Sequence, residues 1–328
     1  MSSLASSLAA GLDTALDRTV VPGFTALGYA VRRRLPTWPP DPAPSALLGR
    51  RVAVTGATSG LGVRTTADLV DLGAQVLMVV RDTDKGRRVA DELRHRAGSG
   101  ERSNALEVWH CDVSDLDSVR ELAAGLLATG EPLHALVHNA GVLPATRTES
   151  PQGHELTMAL HVLGPVLLSE LLVPAMTGHG ARVVFVTSGG MYTQRLPSDD
   201  PDLRRGDYDG ASAYARSKRG QVELLPVLAR RWGAHGIAVD AMHPGWAATP
   251  GLATSLPRFE RALRPALRTD VAGADTTAWL LASTPPPPTG LLWHDRRPRP
   301  TSYLARTAPT EEQRRTFWEW VTQSIDLE

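Results

Sequence analysis

Arg51-Val52-Ala53-Val54-Thr55-Gly56-Ala57-Thr58-Ser59-Gly60-Leu61-Gly62 decides the fold of this chain. A short apolar, β-branched run leads straight into a glycine-rich turn, and a helical pattern opens near Leu61. A helix N-terminus presents free N–H groups and the positive end of a dipole, so it suits a pyrophosphate. Glycine lets the backbone turn tightly and approach the ligand. Gly56, Thr58, Ser59, Gly60, Leu61 and Gly62 are the expected phosphate contacts. The spacing is T-G-x-x-x-G-x-G, distinct from the more general G-x-G-x-x-G.

Outward from this turn, short apolar runs alternate with helical patterns. Arg51–Val54, Gln75–Val80, Ala105–Trp109, Ala135–His138, Arg182–Thr187 and Ile237–Met242 read as strands, with Gly290–Trp293 as a last one. Nearly continuous apolar runs suit strands covered on both faces. Intervening helices imply parallel pairing through right-handed crossovers. The expectation is α/β: one doubly wound parallel sheet of about seven strands over residues 49–295. Residues 1–48 form an amino-terminal arm with a linker carrying Pro36, Pro39, Pro40, Pro42 and Pro44, and 296–328 form an extension ending in a helix from Glu311. The arm reads as a packing segment, with a membrane-surface helix as the alternative.

Composition narrows the function. The 328 residues carry 35 basic and 35 acidic side chains, so global charge favours neither nucleic acid nor an anionic membrane. A single cysteine, Cys111, excludes an intrachain disulfide and points to a reducing, cytoplasmic compartment. Cys111 itself reads as a buried small hydrophobe. No apolar run reaches the ~20 residues of a membrane span. No metal site is expected: His134 and His138 bracket a strand that separates them by ~13 Å.

Tyr214-Ala215-Arg216-Ser217-Lys218 contains one of only two lysines, the other being Lys85. Residues four apart share a helical face. An ammonium ~4 Å from a phenol contributes about 4 kcal/mol at an effective dielectric of 20. The expected result is a tyrosine pKa lowered by roughly one to three units, suited to acid–base work near neutral pH.

Taken with Asp112-Val113, Asn139-Ala140-Gly141, Ser188 and Pro244-Gly245, all in order along the chain, these motifs resemble the short-chain dehydrogenase/reductase family, classical type, over about residues 51–293. Thr187-Ser188-Gly189-Gly190-Met191, Tyr208-Asp209-Gly210, Met242-His243-Pro244-Gly245-Trp246 and His294-Asp295-Arg296-Arg297-Pro298 are similar to one subgroup of it. The resemblance implies a nicotinamide cofactor and hydride transfer between it and a carbonyl or alcohol carbon. It implies Tyr214 as proton donor or acceptor, Lys218 on tyrosine and nicotinamide ribose, and Ser188 orienting the carbonyl oxygen. Asp112 and Val113 would flank the adenine, Asn139, Ala140 and Gly141 would line the cofactor, and Pro244, Gly245 and Thr249 would lie near the nicotinamide.

Arg81 ends the second strand, where an arginine accommodates the 2′-phosphate of NADP in preference to NAD. Asp82, one residue late, reads as a cap. The chain departs from the family at His161-Val162-Leu163-Gly164, where asparagine is usual. His161 is a candidate proton shuttle, with a hydrogen-bonded core histidine as the alternative. The expected partner is a small, apolar carbonyl or alcohol, and the resemblance implies homo-oligomers. The alternative function is an NADP-binding redox sensor or scaffold with little turnover.

Overall fold

All five residues of β1 (Arg51–Thr55) are buried, because the strand lies in the middle of a sheet covered on both faces. The computed structural model describes residues 3–97, 105–255 and 257–327. Around β1 run β2 (Gln75–Val80), β3 (Leu106–His110), β4 (Ala135–His138), β5 (Arg182–Val186), β6 (Ala238–Met242), β7 (Leu292–His294) and β8 (Arg297–Arg299). Their order is β3-β2-β1-β4-β5-β6-β7-β8, parallel except for the antiparallel last pair. Side chains alternate between two cores. Ala53, Leu77, Leu136 and Val183 face one helical layer, while Val52, Val54, Val76, Met78 and Val137 face the other. The switch in strand order beside β1 and β4 opens the crevice at the strands' carboxyl ends where such folds bind ligands.

The eighth strand was not expected. Asp295 and Arg296 turn the chain back with φ of 51° and 57°, a hairpin conformation that usually calls for glycine or asparagine. Ion pairs hold this turn instead. Asp295 binds Arg32 and Arg268, and Arg296 binds Asp275 at 2.6 Å.

The arm packs onto this same hairpin. Helices Ser3–Arg18, Val21–Phe24 and Ala26–Arg33 bury Asp13, Asp17, Phe24 and Arg32. Arg299 binds Asp13 at 2.8 Å and Asp17 at 3.5 Å, and Arg32 binds Asp13 at 2.8 Å. At the other end, the final helix Glu311–Ser324 opens with a full capping box at Thr310 and sets Phe317 against Gly220. Among the described residues, no helix is long and apolar enough to cross a membrane.

Candidate active site

The glycine turn links β1 to the helix Gly60–Asp71. Gly56 and Gly60 sit at φ of 67° and 51°, which side chains rarely adopt. Ser59 stands at the N-cap without a side-chain cap bond, so the leading amides of this helix face outward from the crevice floor. Thr58, Gly60 and Leu61 are half-buried and Ser59 is exposed. Asn139 secures the turn from behind: its Nδ2 donates to the Thr55 carbonyl at 3.1 Å and the Gly56 carbonyl at 3.3 Å. Thr55 Oγ1 in turn accepts from the amides of Asn139 and Ala140, each at 3.0 Å. Uncapped amides, a bare glycine backbone and a rigid support fit the phosphates of a dinucleotide. Thr249 closes the far side, its methyl 3.3 Å from where a Gly60 side chain would begin.

Arg81 and Asp112 meet at the ends of β2 and β3. Arg81 is largely exposed, with one guanidinium nitrogen 3.8 Å from an Asp112 oxygen. The other Asp112 oxygen accepts from the Ser114 amide at 3.0 Å and hydroxyl at 2.6 Å. Asp82 accepts from the Lys85 amide at 2.9 Å, capping the next helix. Val113 is buried, and its carbonyl lies so close to Gly164 that no side chain fits there.

Tyr214 and Lys218 project from the helix Gly210–Glu223, which Asp209 caps. Thr187 Oγ1 donates to the Lys218 carbonyl at 2.8 Å, tying this helix to the end of β5. Ser188 follows at once, accepting from the Gly190 amide at 3.2 Å and lying near enough to influence the Tyr214 phenol. Lys218 Nζ donates to the Val186 carbonyl at 2.8 Å and lies 5.6 Å from the Tyr214 ring centre.

Proton affinities differ from expectation. Burial pushes the Tyr214 phenol above its ordinary 10, with Ser188 opposing. Burial also lowers the Lys218 ammonium to about 7. A lysine brought near half-charge by burial pulls its neighbour's phenol down less than a full ammonium would, and desolvation of the phenol wins. In this geometry Tyr214 is a neutral acid at neutral pH.

His161 is fully buried in a π-turn, Ala159–Leu163. The Val142 amide donates to its Nε2 at 3.2 Å, so Nδ1 carries the proton and donates to Ser217 Oγ at 2.7 Å. Ser217 then donates to the Tyr214 carbonyl at 2.8 Å. Burial drives the imidazole well below its ordinary pKa, keeping it neutral. Both nitrogens are engaged, the arrangement of a hydrogen-bonded core histidine, one of the two roles the sequence offered. Gln221 Nε2 occupies the His161 carbonyl at 2.8 Å. Ser217 stood inside the quoted motif and Thr55 inside the glycine stretch, but nothing in the sequence singled out Gln221.

Pro244, Gly245 and Thr249 lie on the loop after β6. Gly245 has φ of 72° and faces the Arg268 guanidinium, leaving no space for a side chain. Cys111 is buried, its thiol pushed up to about 12 by burial.

A family model for short chain dehydrogenases matches residues 50–199. Dehydrogenase/reductase SDR family member 12 of Bos taurus is 36% identical over 299 residues, covering 89% of this chain and 91% of that protein. Human retinol dehydrogenase 13 is 30% identical over 63% of this chain and 62% of its own length. A crystal structure from Mycobacterium paratuberculosis has 27% identity and a TM-score of 0.69, covering 88% of this chain and 98% of that one. A Beutenbergia cavernae structure, described as an NAD(P)-dependent gluconate 5-dehydrogenase and holding NADP at low occupancy, has 28% identity and a TM-score of 0.58 over 74% of this chain and 92% of its own. The ordered motifs, the sheet they sit on and a relative matched over nearly its whole length lead to one conclusion: the chain belongs to the short-chain dehydrogenase/reductase family and is an NAD(P)-dependent oxidoreductase acting between CH–OH and C=O.

Proposed function

We propose that this enzyme interconverts an apolar carbonyl compound and its alcohol with NADP(H), using Tyr214 as the proton-transfer group. The observation that carries this reading is the placement of Tyr214 and Lys218 on one helical face, with the Lys218 Nζ 5.6 Å from the phenol ring centre and the helix tied by Thr187 to the end of β5, where Ser188 follows. When bound, the cofactor supplies or accepts the hydride. Tyr214 gives its hydroxyl proton to the substrate oxygen in reduction, and its raised pKa keeps that proton available at neutral pH. Ser188 orients the same oxygen. Lys218, near half-protonation at neutral pH, restores the tyrosine proton or relieves its charge. His161 acts as a tether, fixing the backbone of Tyr214 through Ser217.

NADP is favoured because Arg81 stands open at the end of β2 with only a 3.8 Å contact to Asp112. A guanidinium there matches a 2′-phosphate in charge and shape. An apolar substrate is supported by Trp246, half-buried on the loop after β6, and by the retinol dehydrogenase among the relatives. Calorimetric titration of wild type and Arg81→Ala with NADPH and NADH tests the cofactor assignment. NADPH affinity should fall roughly tenfold or more in the variant with NADH affinity unchanged. Equal losses for both would remove Arg81 from phosphate recognition.

A further inference from the structure

The His294-Asp295-Arg296-Arg297-Pro298 segment carries no role in the reading above, yet Asp295, Arg296 and Arg297 each bind the arm or its linker. Asp295 accepts from Arg32 at 2.7 Å and from Arg268 at 2.6 Å. Arg296 donates to the carbonyls of Pro39 and Pro40, each at 3.2 Å, and lies over the Trp38 ring. Arg297 donates to the Thr37 carbonyl. These bonds deliver one residue, Phe24, into an aromatic box. Its ring is 4.6 Å from His243, 5.2 Å from His294 and 6.0 Å from Trp246, centre to centre.

Two contacts of Phe24 reach the active site. The first is with Gly189, which directly follows Ser188. A side chain on Gly189 would begin 2.6 Å from the Phe24 ring, so the bare glycine is the socket for that ring. The same turn is held by the Ser188 hydroxyl accepting from Gly190. The second is through the Phe24 carbonyl, which accepts from the Trp246 amide at 2.8 Å and from Arg268 Nε at 2.9 Å. In the reading above Ser188 orients the reacting oxygen, and Trp246 lies on the loop after β6, half-buried where an apolar substrate would pack. One arm residue thus supports both from behind.

We propose that Phe24 is a positioning residue of the active site: through Gly189 and Trp246 the amino-terminal arm sets the placement of Ser188 and of the substrate loop, and so the affinity and size preference for the carbonyl substrate. This rests on the carbonyl-reduction reading above. Neither contact is with the glycine turn itself, so the effect falls on substrate parameters and leaves the phosphate contacts of that turn in place.

The test compares full-length wild type, Phe24→Ala, Phe24→Leu and the exposed-site control Leu12→Ala. Each is assayed for NADPH affinity, for KM and kcat on methyl ketones of increasing bulk, and for hydrogen exchange by segment. In Phe24→Ala, KM should rise roughly tenfold and preference should shift to bulkier ketones, with NADPH affinity within about twofold. Phe24→Leu should recover part of the loss, and Leu12→Ala should match wild type. Exchange should rise over residues 188–193 and at Trp246 but not over 56–62. Unchanged KM, size preference and exchange in an NADPH-binding Phe24 variant would overturn the proposal, as would exchange rising evenly everywhere. If Phe24→Ala fails to fold, Phe24→Leu decides. Retained turnover in Tyr214→Phe would sink the proton-donor reading and leave this one standing. If wild type turns over no ketone, the exchange pattern alone decides.

Discussion

His161 occupies the place where the family usually carries asparagine, and its surroundings separate two roles that the sequence left open. Its neutral ring receives the Val142 amide and donates to Ser217, which holds the Tyr214 carbonyl. A tether and a relay differ in what they do to a pH profile. Replacing His161 with alanine should lower kcat about tenfold by loosening Tyr214, leaving the midpoints of the pH–rate profile in place. A profile whose midpoints move with the substitution would restore the relay. The candidates Tyr214, Lys218 and Ser188 could be named from sequence because their spacing is local: four residues apart on one helix, and two residues past the end of β5. Their proton affinities could not, because desolvation depends on everything packed around them. Burial raises the phenol and lowers the lysine to about 7, opposite to what a pairwise charge estimate gives for the tyrosine.

Strands β1 to β7 were readable because strands buried on both faces must be apolar almost throughout, and a run such as Gln75–Val80 has no other use. β8 was not readable: it contains Pro298, and its turn uses Asp295 and Arg296 at positive φ without glycine. Long-range ion pairs stabilise that turn, and no local pattern encodes them. The glycine turn was readable because its own residues carry the signature, although its brace, Asn139, comes from the end of β4. A side chain at Gly62 would run into the Gly56 carbonyl and begin 2.6 Å from Asn139 Nδ2. Gly62→Ala must therefore displace the Asn139 brace and the leading amides of the helix together. NADPH affinity should drop at least about tenfold and the melting temperature by several degrees, measurable by titration and calorimetry. An alanine variant with wild-type affinity would mean that this turn does not carry the phosphates.

Across the whole molecule, the arm and the tail converge on the segments that carry Ser188 and Tyr214: Phe24 on Gly189, Phe317 on Gly220. In sequence Asp13, Asp17 and Arg32 look like a solvated helical face. Their burial depends on partners as distant as Asp295, 263 positions from Arg32. A second global property follows from four buried histidines, His138, His161, His243 and His294. Burial lowers His138 and His294 to about 3 and the other two well below their ordinary 6.5. Below pH 6.5 the unfolded chain binds protons that the folded chain refuses, so stability is lost as pH falls. Each group removes up to about 1.4 kcal/mol per pH unit, and four together about 5.5. Against a typical stability of about 5–15 kcal/mol, unfolding should set in within roughly one to three units below 6.5. Circular dichroism against pH checks this, and a chain still folded at pH 3 would contradict it. Proton transfer by Tyr214 is decided by single-turnover oxidation of bound NADPH with a panel of apolar ketones, in wild type and Tyr214→Phe. Wild type should turn over and the variant should lose at least about a hundredfold, with NADPH bound equally well by both. Equal rates in the two proteins would contradict proton transfer by Tyr214.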